Sequence, residues 1–239
     1  MSDIDWRICG GLEEMAEAVA DEIEAVIRMA LDGHGEALIA LPGARSPIPV
    51  FRRLAKADIA WDRVTIVPTD DRLVPLANAL SNASALIEHF EPVGARVVPL
   101  VVDEVAGEAG DYRGAGRDAD ARLAALRWPP DLVWLGVGVD GHTASIFPGP
   151  DLTAALGCAD ERRALGVMPD PLPPEAPVAR VTLSLAAILS ARFLMLSCAG
   201  GIKRAVVERA IAEGPASAAP IGQVLARAKA AVAIYWSPA

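Results

Sequence analysis

Apolar residues recur at helical spacing through residues 11 to 31, GLEEMAEAVADEIEAVIRMAL, with acids between them, which predicts an amphipathic helix. The next apolar run, EALIALPG, is short enough for a strand and ends at Gly43. SPIPVFRRLAK then carries helix-start signals, with Ser46 as N-cap and Pro47 at the first helical position. The same unit recurs. RVTIVPTD (63 to 70) predicts a strand, SNASALIEHF (81 to 90) a capped helix and RVVPLVV another strand. A helical stretch around DADARLAALRW precedes the strand DLVWLGVG; ARFLMLSCAG is a strand feeding the helix GIKRAVVERAIAEG, and AAVAIYWSPA is a final strand. Strands alternating with helices predict an α/β fold built on a mostly parallel, doubly wound sheet. PDPLPPEAP (169 to 177) reads as a surface loop, with a subdomain boundary there as the alternative. At 239 residues the expectation is one α/β domain spanning residues 1 to 239.

Composition narrows the function classes. With 53% hydrophobic and 22% charged residues the chain is globular rather than disordered or fibrous. A net charge of −9 argues against nucleic acid or an anionic membrane as the main partner, while leaving room for a local cationic pocket. The start, MSDIDWRICG, lacks the basic and apolar regions of a signal peptide, and Arg192 interrupts the longest apolar run, VTLSLAAILSARFLMLS. A soluble, cytoplasmic protein is expected. Cys9, Cys158 and Cys198 are odd in number and widely spaced, which predicts buried free thiols rather than disulfides or a metal cluster.

Four stretches carry candidate chemistry, each at the carboxyl end of a predicted strand. In GVGVDGHTASIFPG, Gly136, Gly138 and Gly141 satisfy a dinucleotide-binding spacing, but Pro148-Gly149-Pro150 stops the long helix that such a motif needs. What remains is a tight turn that holds Asp140 and His142 close together, a carboxylate able to fix the tautomer of an imidazole base. An ordinary loop histidine is the plain alternative. LPGARSP turns from strand to helix and offers backbone N–H groups, Arg45 and Ser46 to an anion. PTDDRLVP places Asp70, Asp71 and Arg72 at another strand end; the arginine suits a phosphate and the acids suit sugar hydroxyls or orientation of the arginine. SCAGGIKRA opens a helix with Lys203 in its first turn, a point charge for a phosphate. A base with its carboxylate and cations from three other turns describes a site for a small phosphorylated substrate. His34 and His89 suggest no zinc ligand set, and neither a serine-hydrolase elbow nor an ATP phosphate loop occurs, so no metal or cofactor is expected.

With those motifs in this order, LPGARSP, TDDRLVP followed by SNASAL, GVGVDGHTASIFPG, RVTLSLAAIL and GGIKRAVVERAI, the chain resembles the 6-phosphogluconolactonases. These belong to a wider group with the glucosamine-6-phosphate deaminases and sugar-phosphate isomerases. The resemblance implies a three-layer α/β/α sandwich with a small accessory sheet. It also implies hydrolysis of 6-phospho-D-glucono-1,5-lactone to 6-phosphogluconate in the oxidative pentose phosphate pathway. It places His142 as base with Asp140 beside it, and Arg72 and Lys203 on the phosphate next to the turn of Gly43, Ala44, Arg45 and Ser46. Asp70 joins that binding set, and Asn82 and Arg180 enter it on the resemblance alone. Two departures stand out: Gly43-Ala44-Arg45-Ser46-Pro47 where the family usually has Gly-Gly-Ser-Thr-Pro, and Asp70-Asp71-Arg72 where it has Asp-Glu-Arg.

The deaminases continue past Asp-Gly-His with Asn-Glu-Pro, whose glutamate assists ring opening; this chain has Ile146-Phe147-Pro148 there. A deaminase or isomerase therefore lacks its acid. A noncatalytic sugar-phosphate sensor should carry a basic DNA-binding segment, and none is present. The expected partner is a small sugar-phosphate lactone, with a monomer or small homo-oligomer as the assembly.

Overall fold

The computed structural model describes residues 4–43, 45–103, 111–157 and 162–238; Ala44 and Cys158 lie outside them. In chain order the elements are β1 (Ile4–Ile8), α1 (Leu12–His34), β2 (Ala37–Leu41), α2 (Ile48–Leu54), β3 (Val64–Pro68), β4 (Asp70–Arg72), α3 (Asn82–Phe90) and β5 (Arg96–Val97). The second half adds α4 (Tyr112–Ala124), β6 (Leu132–Leu135), α5 (Leu152–Leu156), β7 (Ala164–Val167), β8 (Arg180–Leu183) and α6 (Leu185–Ser190). It closes with β9 (Phe193–Ala199), α7 (Gly201–Glu213), α8 (Pro220–Arg227) and β10 (Val232–Ser237).

Seven strands form one sheet in the order β1-β10-β9-β6-β2-β3-β5, every neighbouring pair parallel. The expected parallel sheet is present, and it is wholly parallel. A second sheet, β4-β8-β7, is antiparallel. The central strands are buried along their whole length, as a sheet covered on both faces requires. Alternation assigns the faces. From β2, Leu38 and Ala40 join a cluster with α4, α6, α7, α8 and the small sheet, whereas Ala37, Ile39 and Leu41 pack against α1, α2 and α3.

Chain direction away from the centre reverses between β2 and β6: β2 continues to β3 and β5, and β6 to β9 and β10. In open α/β sheets the crevice at the carboxyl ends of the strands flanking such a reversal is the natural ligand site.

Several local expectations shift. Ser46 does not cap α2; Pro47 occupies that position without any side-chain acceptor, because Ile48 N–H already closes the turn on Arg45 O at 3.3 Å. Asp70 to Arg72, expected as the end of β3, leave it to form β4 opposite β8. The strand expected in RVVPLVV shrinks to Arg96–Val97, since Pro99 has no N–H to continue a ladder. The proline-rich stretch 169 to 177 bridges β7 and β8 within the small sheet. Cys9 and Cys198 are buried free thiols, with burial pushing Cys198 up to about 11. Among the described residues no helix is long and apolar enough to cross a membrane.

The small sheet is pressed against α4 through two glycines. A Cβ on Gly166 would lie 1.7 Å from Tyr112 O, and one on Gly116 1.9 Å from Gly166 N, both backbone atoms that cannot swing aside. Gly166→Ala should therefore destabilise by roughly 2–3 kcal/mol through overpacking. Thermal unfolding should show a Tm about 4–12 °C lower; an unchanged Tm would mean that α4 does not rest on β7.

Candidate active site

The turn after β6 is built by its own hydrogen bonds. Gly138 N–H donates to His142 O at 2.9 Å, Gly141 N–H to Gly138 O at 3.1 Å, and Thr143 Oγ1 to Gly136 O at 2.8 Å. These fold the chain back so that Asp140 Oδ1 lies 2.6 Å from His142 Nδ1, accepting also from His142 N–H at 3.2 Å. With Nδ1 engaged on the carboxylate, Nε2 is the ring nitrogen left to act. Phe147 stacks on the imidazole, ring centroids 4.3 Å apart at 29°. The ring is thus fixed by a carboxylate at its edge and an aromatic on its face.

His142 lines a cavity of about 430 Å³ at the carboxyl ends of β2, β3, β6 and β9. That volume is in the range of small-molecule sites. The same wall carries Gly43, Arg45, Ser46, Asp70, Arg72, Asn82 and Lys203, so the four expected turns meet as expected. Asp140 does not line the cavity; it stands behind His142. Ala44 lies outside the described residues. Among the described residues Arg45, Arg72 and Lys203 form no ion pair, which leaves three cations facing the cavity of a chain whose net charge is −9. Arg72 is held by donating Nη1 to Leu80 O at 2.7 Å.

Arg180 is where the structure departs from the expected site. It is 3% exposed, lies opposite Arg72 across the small sheet, and donates to Ala176 O and Val178 O, both at 2.7 Å. It does not line the cavity. Burial, with the charge of Arg72 beside it, lowers its pKa to about 10. Its work is to brace the loop before β8.

The two acids of β4 divide. Asp70 faces the cavity and accepts from Ser145 Oγ at 2.5 Å, tying β4 to the turn of His142. Asp71 points the other way, fully buried, and accepts N–H from Arg72, Asn82 and Ala83 at 2.7–3.0 Å, capping α3 together with Ser81. Burial pushes its carboxyl up to about 6 against the pull of those N–H groups. Asn82 is fixed by the same contacts and by donating Nδ2 to Asp70 O at 2.8 Å. It fills the space where a Cβ on Gly43 would lie, 2.0 Å from Asn82 Cγ, so only glycine fits there.

Sequence reasoning passed over Ala144, Ser145 and Phe147. Ser145 and Phe147 sit inside the quoted motif, but nothing local shows that one reaches β4 and the other covers the imidazole. Ala144 lines the cavity with φ 49, the one non-glycine residue at positive φ among those described. Such a backbone costs on the order of 1–3 kcal/mol and persists where its surroundings over-determine it. Among the described residues no group of three or more His, Cys, Asp and Glu side chains is placed to hold a metal. His34 instead lies 3.1 Å from Asp131, and His89 2.8 Å from Ala85 O.

Residues 11–236 match the family model described as glucosamine-6-phosphate isomerases/6-phosphogluconolactonase. A 6-phosphogluconolactonase of Mesorhizobium japonicum is 35% identical over 98% of this chain and 95% of its own length. One from Pseudomonas aeruginosa is 32% identical over 98% and 95%. Among solved structures, a 6-phosphogluconolactonase from Shewanella baltica superposes with a TM-score of 0.86 at 29% identity, covering 98% of both chains. A monomeric glucosamine-6-phosphate deaminase shares the fold, with a TM-score of 0.76 at 18% identity over 98% of this chain and 97% of that one.

Proposed function

The chain belongs to the family of glucosamine-6-phosphate isomerases and 6-phosphogluconolactonases, and from that premise we propose that it hydrolyses 6-phospho-D-glucono-1,5-lactone to 6-phospho-D-gluconate, with His142 as general base. Relatives with 32–35% identity over nearly the full chain carry the lactonase name, which makes this chain a lactone hydrolase of the pentose phosphate pathway. The observation that carries the mechanism is the Asp140–His142 pair at the edge of a cavity lined by Arg45, Arg72 and Lys203.

The chemistry follows from that arrangement. The phosphate is held by the cations and by the turn at Gly43 to Ser46, which leaves the lactone carbonyl beside His142. Nε2 takes a proton from water as the water oxygen attacks C1; the imidazolium then returns a proton to the departing ring oxygen. Asp140 keeps Nδ1–H pointed at itself and stabilises the transient positive charge. A lactone is already an activated ester, so positioning, a base and charge stabilisation suffice. The deaminase alternative lacks its acid: Phe147 stands in the place of the glutamate, stacked on the base.

Phosphate recognition is tested separately from the base. Lys203→Ala should raise KM for the phosphorylated lactone about 10–100-fold, the 1.5–3 kcal/mol of a hydrogen bond to a charged group. It should leave turnover of phosphate-free gluconolactone as it was. Equal losses on both lactones would remove Lys203 from the phosphate.

A further inference from the structure

The turn that presents His142 leaves one donor unused. From Gly141 to Ile146 the backbone N–H groups are spoken for: Gly141 donates to Gly138 O, His142 to Asp140 Oδ1, Thr143 to Ile146 O, Ser145 to Thr182 Oγ1 at 3.2 Å, and Ile146 to Thr143 O at 3.0 Å. Among the described residues, the N–H of Ala144 donates to nothing. Ala144 is also the residue with φ 49, and it lines the cavity two positions after His142. Its neighbours hold it there from three sides: Thr143 Oγ1 on Gly136 O, Ser145 Oγ on Asp70 Oδ2, and Ile221 N–H on Gly141 O at 3.0 Å. A strained residue, clamped by its surroundings, with a free donor beside the base, has the marks of a preorganised electrostatic site.

We propose that the Ala144 backbone N–H receives the carbonyl oxygen of the lactone as it becomes an oxyanion, which makes Ala144 a catalytic residue through its main chain. The proposal rests on the lactonase reading and deepens it. As the water oxygen bonds to C1, the carbonyl π pair moves onto the exocyclic oxygen, and the water proton goes to His142 Nε2. The N–H of Ala144 holds the resulting charge. When that pair returns to re-form C=O, the bond from C1 to the ring oxygen breaks and the ring oxygen takes the proton from the imidazolium, so one water is added in balance. On the lactonase reading the cavity's side-chain cations hold the phosphate from the other turns, so a main-chain donor next to the base supplies what they do not. The left-handed conformation is then what turns this amide away from the hydrogen bonds of its own turn.

The test replaces the amide by an ester, incorporating lactic acid at position 144 by nonsense suppression, which removes the N–H and keeps the methyl. With the wild type turning over the lactone, the ester protein should lose about 10²–10³ in kcat, the usual loss for one oxyanion donor, with KM within about threefold. Ala144→Gly, which keeps the N–H, should stay within about tenfold. An ester protein within about threefold of wild-type kcat overturns the proposal while leaving the lactonase intact, whereas a folded wild type without turnover overturns the lactonase reading itself. Wild-type protein labelled with 15N-alanine decides the matter if the ester protein does not fold. The Ala144 amide proton, identified by its loss in Ala144→Gly, should move downfield on saturation with 6-phosphogluconate, and a resonance that stays put contradicts the assignment.

Discussion

His142→Ala should lower kcat for 6-phosphogluconolactone by about 10²–10⁴, the contribution of a positioned general base, while the protein remains folded. The fold is expected to survive because the side chain's contacts are the bond to Asp140 and the stack on Phe147, neither of which belongs to either apolar cluster. KM should change little, since Arg45, Arg72 and Lys203 in the cavity wall are untouched. Steady-state kinetics with spontaneous hydrolysis subtracted, alongside circular dichroism of both proteins, checks this. A variant with wild-type kcat would exclude the imidazole as base.

The second large effect needs no contact with substrate. Gly138 packs so closely on the Asp140–His142 pair that a Cβ there would lie 2.2 Å from His142 Nδ1 and 2.5 Å from Asp140 Oδ1. Both are well inside van der Waals contact, and both belong to partly exposed side chains rather than to backbone. Gly138→Ala should therefore displace the pair rather than unfold the turn. A displacement near 1 Å costs about 10²-fold in rate, so kcat should fall by that order with KM and Tm nearly unchanged. The variant separates position from identity, since both His142 and Asp140 are still present. Wild-type kcat in Gly138→Ala would show that the 2.6 Å Asp140–His142 geometry does not set the rate.

How much of this was legible in the chain depended on the range of the interactions. ALIAL, LVWL and FLMLSCA read as strands because a sheet covered on both faces selects continuous apolar runs, and their carboxyl ends lie at the edge that holds the cavity. The small sheet was not readable from pattern. DDR is a strand only because β8 pairs with it, and RVTL was absorbed into a long apolar run that divides into β8, α6 and β9. The edge strand IDWRI, paired on one side only, was not among the strands legible in the pattern.

Within the site, Asp140 and His142 were legible because two residues of one turn must lie near each other. The Asp70–Ser145 bond joins residues 75 apart, and nothing in either segment announces it. Arg180, placed in the binding set by the resemblance alone, instead meets the carbonyls of Ala176 and Val178 within the fold. Ala144 is the extreme case, since an alanine gives no sign of a positive φ, and only the three-dimensional clamp around it does.

The most direct test of the central claim is proton release when wild-type protein meets freshly prepared 6-phosphogluconolactone, compared with His142→Ala and with buffer alone. Rapid acidification by the wild type that falls to near the buffer rate in His142→Ala is the predicted result. Wild-type acidification no faster than buffer, from a folded protein, would contradict the account.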